Sequence, residues 1–238
     1  MVVIGAPGDN AYGPLIEKAF ASGIMVACVD TPLPKTFEKF QSKGYSYIGV
    51  DNYGQGKMMA EKCLSHFSLK KGDKVLVWGL KSIPGRGLRA KAMLDVFNKA
   101  GIKADYLEIS PEANKEATLG APILTGYLTS HKDCKLVVID HGALTAQAGN
   151  ALRGANIKPG AFGIAGFSLS PATAEAIKSG YVNLVSEGQP YMMGYLAVTQ
   201  IVLNKRGNFG GIYVDTAGGF VTKQNIDKVA PLANKAIR

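Results

Sequence analysis

The 238-residue chain is long enough to bury a large core and could form one domain or two. Hydrophobic residues make up 47% of it and charged residues 19%, which excludes a disordered chain. The formal charge is +9, but the lysines are scattered, so a solvated basic surface is favoured over a nucleic-acid-binding segment. Cys28, Cys63 and Cys134 lie far apart in or beside apolar segments, which predicts buried free thiols rather than disulfides or metal ligands.

Residues 1–32 are predicted to form a strand, a loop, a helix and a second strand. The apolar run at residues 2–4 stops at Gly5, as a buried parallel strand does. Asp9 or Asn10 is expected to cap the helix, with Pro14 in its first turn. The second strand, residues 24–29, ends at Asp30, which is therefore expected to face a ligand at the carboxyl end of the sheet.

The rest of the chain alternates between predicted strands and helices. A polar loop is expected at 33–45, a helix break near Gly120 and Pro122, and a helix cap at Ser170. This alternation predicts an α/β fold with a parallel, doubly wound sheet and right-handed crossovers. Strands are predicted at 45–50, 74–78, 104–109, 136–139, 162–165, 182–185 and 211–222, and helices at 55–67, 86–100, 112–130, 142–155, about 171–180, 190–204 and from 225.

Several short motifs occur in an order that resembles a known family. The first segment contains P-x-D, then A-x-x-x-G-I-x-V and a strand ending in Asp, and residues 47–56 read Y-I-G-V-D-N-Y-G-Q-G. Together they are similar to type I periplasmic sugar-binding proteins of ABC transporters, such as the ribose-binding ones. The stretch G-F-S at residues 166–168, with D-H-G-A-L at residues 140–144, resembles the autoinducer-2-binding branch. The resemblance implies a Rossmann-like fold of two lobes, residues 1–49 plus 187–210 and residues 50–186 plus about 211–238.

The family begins with two further βα units that this sequence does not show. The resemblance therefore implies that the N-terminal lobe is incomplete and exposes an apolar edge, through which the chain could dimerise. Residue 1 leads directly into a core strand, so no signal peptide is expected within these residues. No apolar run approaches the roughly 20 residues that span a membrane.

Candidate ligand-binding residues combine strand-end placement with groups that hydrogen-bond to several hydroxyls at once. Asp30 is one, and the resemblance adds Arg89, with Arg86 as a weaker candidate. A cation in the first turn of a helix opposes the helix dipole, so a compensating partner such as a ligand oxygen is expected for Arg89.

The resemblance also carries four residues of later segments. Asp140 and His141 follow a predicted strand, and Ser168 stands where many sugar binders have an aspartate. Gln189 precedes the helix after the second predicted crossover between the lobes. The full set of predicted ligand-binding residues is Asp30, Arg86, Arg89, Asp140, His141, Ser168 and Gln189.

The predicted function is that of a solute-binding protein rather than an enzyme. No dinucleotide, P-loop or nucleophile-elbow motif occurs in phase with a strand, and no metal-ligand spacing is found, so no cofactor is expected. The resemblance implies a small sugar or polyol bound in the cleft between two hinged lobes, an ABC permease as partner, and a periplasmic or membrane-anchored extracellular location. The alternative is the effector-binding domain of a LacI-type transcriptional regulator, although no DNA-binding module is visible in this chain.

Overall fold

The computed structural model describes residues 1–5 and 8–237. The chain divides into two compact units, the first made of Met1–Asn52, Pro84–Arg86 and Gly188–Ala217. The second contains Tyr53–Ile83, Gly87–Glu187 and the remaining residues from 218 onward. Within the described residues, no helix is both long enough and apolar enough to cross a lipid bilayer.

The helices and strands alternate along most of the chain. In chain order they are β1 (Val2–Ile4), α1 (Asp9–Ala21), β2 (Ala27–Asp30), α2 (Pro34–Phe40), β3 (Ser46–Gly49), α3 (Asn52–His66), β4 (Lys74–Gly79), α4 (Leu88–Lys99), β5 (Lys103–Glu108), α5 (Pro111–Lys115), α6 (Gly120–Ser130), β6 (Cys134–Ile139), α7 (Gly142–Gly154), β7 (Gly163–Phe167), α8 (Pro171–Lys178), β8 (Leu184–Glu187), α9 (Pro190–Gly207), β9 (Tyr213–Asp215), β10 (Gly219–Thr222) and α10 (Ile226–Ala233).

The first unit is built on a parallel sheet with the strand order β1-β2-β3-β9. One face packs against α9, where Met193 and Ala197 join Ile48 in a buried cluster. The other face packs against α1 and α2, through Ile16 and Phe40 among others. Because the strands are parallel, their carboxyl ends lie along one edge of the sheet, and the polar residues that follow them gather there.

The second unit has a six-stranded sheet with the order β10-β8-β7-β6-β4-β5. Five of its strands are parallel, and β10 pairs antiparallel with β8 at one edge. Side chains alternate across β4, so that Val75 and Val77 pack towards α3 and α4, while Leu76 and Trp78 pack towards the helices of the other face. This doubly wound α/β architecture is the one that the alternating pattern predicts.

Several predicted boundaries are wrong. The first helix begins at Asp9 after Gly8, so Asp9 does not cap it, and Pro14 lies inside the helix rather than in its first turn. Residues 33–45 hold α2 and a short 3₁₀ helix, Gln41–Lys43, rather than a loop. Residues 211–222 contain one strand for each sheet, so β9 belongs to the first unit although the sequence placed everything after 210 in the second. The helix predicted from 86 starts at Leu88, which leaves Arg86 in a loop grouped with the first unit.

Strand β1 lies at the edge of the described first sheet. Val2 and Ile4 are 41% and 57% exposed there, which is high for β-branched residues of a strand. An exposed apolar edge was expected from the sequence, and pairing of two chains through it stays a prediction.

Candidate functional site

The second unit brings Arg89 and Asp140 together at the carboxyl edge of its sheet. Asp140 directly follows β6, and Arg89 lies in the first turn of α4, which follows β4. The two elements meet closely because β4 ends in Gly79, where a Cβ atom would lie only 3.3 Å from the Asp140 side chain. Strand order therefore places these two predicted residues side by side.

Arg89 and Asp140 form a buried ion pair. The Arg89 Nε donates to Asp140 Oδ1 over 2.5 Å, and the two residues are only 8% and 0% exposed. A cation in the first turn of α4 opposes the helix dipole, and the Asp140 carboxylate offsets that unfavourable charge. Within this pair, the positive charge of Arg89 and the negative charge of Asp140 offset each other.

Two further residues hold the Arg89 guanidinium, and sequence reasoning missed both. Arg89 Nη1 donates to Gln55 Oε1 over 2.7 Å, and the Phe167 ring centroid lies 4.0 Å from the guanidinium carbon. Gln55 belongs to the motif at residues 47–56 and Phe167 directly precedes Ser168, so their positions, although not their contacts, were visible in the sequence. The arginine is thus hydrogen-bonded along its edge and covered on one face by an aromatic ring.

His141 and Ser168 lie next to this cluster along the chain. His141 caps α7, since its Nδ1 accepts a hydrogen bond from the Leu144 N–H over 3.2 Å. Ser168 follows β7, is exposed, and lies against Gly142, where a Cβ atom would approach its hydroxyl oxygen to 2.9 Å. His141 therefore has a structural role whether or not it binds a ligand, whereas the Ser168 side chain is accessible.

Asp30 ends β2 in the first unit. Its carboxylate accepts a hydrogen bond from the Thr31 hydroxyl over 3.0 Å, and its carbonyl oxygen lies 2.8 Å from the Tyr47 hydroxyl. The residue is half-buried, so part of it stays accessible at the sheet edge where the sequence placed it.

Gln189 and Arg86 lie in loops of the first unit. Gln189 precedes α9, and its Nε2 donates to the carbonyl oxygen of Thr216 over 2.9 Å. Thr216 also hydrogen-bonds to the carbonyl oxygens of Gly49 and Gly188, so three segments distant in sequence are tied together within the first unit. Arg86 is half-buried in a turn closed by its own N–H and the Pro84 carbonyl.

Three of the predicted residues share an unusual backbone conformation. Asp30, Ser168 and Gln189 have φ values of 69°, 67° and 55°, in the left-handed region that costs an L-residue about 1–2 kcal/mol. Among the described residues, only four other non-glycine residues have a positive φ, namely Ser68, Asn156, Asn208 and Ala236. Backbone strain of this kind concentrates at functional sites, and here it coincides with positions chosen from the sequence on other grounds.

The described residues contain no group of three or more His, Cys, Asp and Glu side chains that could hold a metal ion. The donors and acceptors at both sheet edges are instead carboxylate, guanidinium, amide, imidazole and hydroxyl groups. Such groups are suited to hydrogen bonding with hydroxyl-rich small molecules.

Comparison with known proteins gives relatives of one kind. The chain is 24% identical to the Xylose/arabinose-binding protein XylF of Sulfolobus acidocaldarius, over 94% of this chain and 57% of that protein. It is 25% identical to a D-ribose/D-allose-binding protein of Pseudomonas aeruginosa, over 74% of this chain and 54% of that protein. The chain thus spans little more than half the length of these curated relatives.

Solved structures share the fold. A solute-binding protein of an ABC transporter from Burkholderia graminis, in complex with D-arabinose, superposes with a TM-score of 0.79 at 23% identity, covering 94% of this chain and 75% of that one. One from Actinobacillus succinogenes with bound D-allose gives a TM-score of 0.77 at 21% identity, covering 92% and 75%. The family model described as "Periplasmic binding protein domain" matches residues 1–208. The chain belongs to the periplasmic binding protein domain family, as the motifs of its sequence indicated.

Proposed function

We propose that this protein is the solute-binding component of an ABC importer and that it binds a small sugar or polyol. The observation that carries the proposal is the Arg89–Asp140 pair, buried at the carboxyl edge of the second sheet in a chain of this family. A charge-compensated pair suits an uncharged ligand, because a ligand with its own charge would leave an unpaired ion in a buried place.

Specific chemical roles can be assigned to the site residues. The Arg89 guanidinium donates to sugar oxygens, and the Asp140 carboxylate accepts from sugar hydroxyls. Phe167 lies directly beside the arginine, and an aromatic ring can cover the apolar C–H face of a sugar. His141 and Ser168 are further candidates in the second unit, and Asp30, Arg86 and Gln189 are candidates in the first.

The relatives support sugars as the ligand class and guide the choice of probes. Their names and complexes mention xylose, arabinose, ribose, allose, fucose and myo-inositol. Nothing among these proteins favours the transcriptional-regulator alternative. The proposed partner is an ABC permease, and the proposed location is the periplasm or the outer face of the cell membrane.

The test is ligand binding by the purified chain against a panel of these six compounds and autoinducer-2. We expect at least one compound to raise the melting temperature and to titrate with a 1:1 stoichiometry by calorimetry. Arg89→Met should abolish that response. Arg153→Met serves for comparison, because exposed Arg153 also lies over an aromatic ring, that of Tyr181, but away from the strand ends. The melting temperature of each variant without sugar shows whether it is still folded. A melting temperature unchanged by every compound would overturn the proposal for this chain.

A further inference from the structure

We propose that Gln55 is a positioning residue that fixes the orientation of the Arg89 guanidinium for the ligand. This inference rests on the proposed function, since it assigns to Arg89 the contact with sugar oxygens.

Gln55 lies in the first turn of α3 and is 1% exposed. Its Oε1 accepts from Arg89 Nη1 over 2.7 Å, while its Nε2 donates to the Ser186 hydroxyl over 3.3 Å. Because a guanidinium can only donate, the amide oxygen must face Arg89, and the Ser186 hydroxyl, which can donate or accept, then accepts from the amide nitrogen. That orientation presents an acceptor, and not a donor, to the arginine.

The guanidinium is held in two complementary ways. Nε is bound to Asp140 and Nη1 to Gln55, which defines the direction of its edge, and the Phe167 ring defines its plane. The hydrogen bond to Gln55 adds to the one with Asp140 in restricting rotation of the guanidinium. Fixing a long side chain before the ligand arrives lowers the entropy cost of binding, which is the physical basis of preorganisation.

The backbone brings Gln55 within reach of Arg89. Gly56 lies so close to α4 that a Cβ atom there would be 2.2 Å from the Arg89 carbonyl oxygen. The first turns of α3 and α4 are therefore in direct contact at this point. A glutamine one residue before that contact can span to the guanidinium.

The first experiment compares Gln55→Met with the intact chain. Methionine matches the length of glutamine but cannot hydrogen-bond to the arginine or to Ser186. We expect the affinity for D-arabinose, D-ribose or whichever panel sugar the wild type binds to fall about 10-fold, the effect of losing one hydrogen bond to a charged group.

Gln200→Met is the matched control. Gln200 is also a buried helical glutamine, 8% exposed, and its amide bonds to Asn204 and Gly210 in the first unit. This variant should lose stability as Gln55→Met does but keep the sugar affinity. If both variants weaken binding in proportion to their loss of stability, the role of Gln55 is only structural and the inference is wrong.

A second measurement does not depend on any sugar. The Arg89 Nε–H signal in a ¹⁵N-correlated NMR spectrum can be assigned by its disappearance in Arg89→Lys. We expect Gln55→Met to shift or broaden that signal and Gln200→Met to leave it unchanged. An unperturbed Arg89 signal in Gln55→Met would overturn the inference even if the wild type binds no panel sugar. Failure of binding alone would instead count against the proposed function.

Discussion

At the scale of single residues, the site joins backbone strain with buried charge. Asp30, Ser168 and Gln189 keep left-handed conformations that glycine would adopt at lower cost. A side chain at such a position is expected to have a function that offsets the cost of the strained backbone. At Ser168 the exposed hydroxyl beside Gly142 has that role in the proposed function.

Ser168→Gly should therefore stabilise the protein and weaken sugar binding. Relief of the left-handed strain, less the extra chain entropy of glycine, predicts a gain of about 0.5–1 kcal/mol in the free energy of unfolding. Ser68→Gly is the control, because exposed Ser68 has φ 50° after the end of α3 and is not a predicted site residue. Urea unfolding should show a similar gain for both variants, and calorimetry should show weaker binding only for Ser168→Gly. Equal affinities would contradict a ligand role for the hydroxyl.

Asp140→Asn should destabilise the protein strongly. It removes the charge that compensates the buried Arg89, and breaking such a pair costs about 3 kcal/mol or more. Asp133→Asn serves for comparison, since the ion pair of Asp133 with Lys74 is exposed and its loss should have a much smaller effect. Chemical denaturation measures both changes. Similar losses for the two variants would show that the Arg89–Asp140 pair is not effectively buried.

At the scale of helices and strands, the region 112–130 shows how packing determines where a helix starts. The sequence predicted one helix interrupted near Gly120 and Pro122, and the structure has α5, a 3₁₀ turn at Ala117–Leu119, and α6 starting at Gly120. Pro122 lies in the first turn of α6, where its missing N–H has no intrahelical partner. Gly120 is needed for a different reason, since a Cβ atom there would approach Leu144 Cδ2 to 2.3 Å.

Two Gly→Ala substitutions in α6 should have opposite effects. Gly120→Ala places a methyl group against Leu144 and the Trp78 ring, and overpacking of this kind costs about 1–3 kcal/mol. Gly126→Ala adds its methyl group where no atom lies within 4 Å, so the higher helix propensity of alanine should stabilise by about 1 kcal/mol. Urea unfolding followed by the fluorescence of Trp78, the single tryptophan, measures both. Stabilisation by Gly120→Ala would contradict the packing at this position.

Strand ends followed by a polar residue could be predicted from the sequence. Features that depend on contacts between distant segments could not. Apolar runs ending at Asp30 and before Asp140 correctly located two strand ends. The three residues of β9 were too short to be assigned to a sheet, because only pairing with β3 distinguishes them from a loop. The Arg89–Gln55 hydrogen bond was also beyond prediction, since it depends on the close approach of α3 and α4 at Gly56.

At the scale of the whole molecule, the reactivity of the three thiols can show when each of the two units unfolds. Cys28 lies in the core of the first unit and Cys63 and Cys134 in the second, and each is at most 4% exposed. Burial raises the pKa of the Cys28 thiol to about 11 and raises the pKa of the other two as well. The folded protein should therefore react slowly with thiol reagents at pH 8, because both access and thiolate formation are suppressed.

Labelling in increasing urea should modify Cys28 before Cys63 and Cys134. The first unit has the smaller buried clusters and an exposed apolar edge at β1, so it is expected to open at lower denaturant concentration. Mass spectrometry of peptides from pulse-labelled protein measures the order. Simultaneous modification of all three thiols would show that the two units unfold as one cooperative body.

The discontinuous first unit has a consequence for synthesis on the ribosome. Strand β9 leaves the ribosome roughly 160 residues after its sheet neighbour β3, and α9, which covers one face of that sheet, is also made late. At about 5–20 residues per second, the half-finished sheet waits some 10 to 30 seconds for these pieces, a period in which most of the second sheet has already been translated. The nascent chain therefore passes through a stage at which most of the second sheet has been made while the first sheet still lacks β9 and the cover of α9. Chaperones that bind apolar strands are expected to act on this incomplete sheet during that interval.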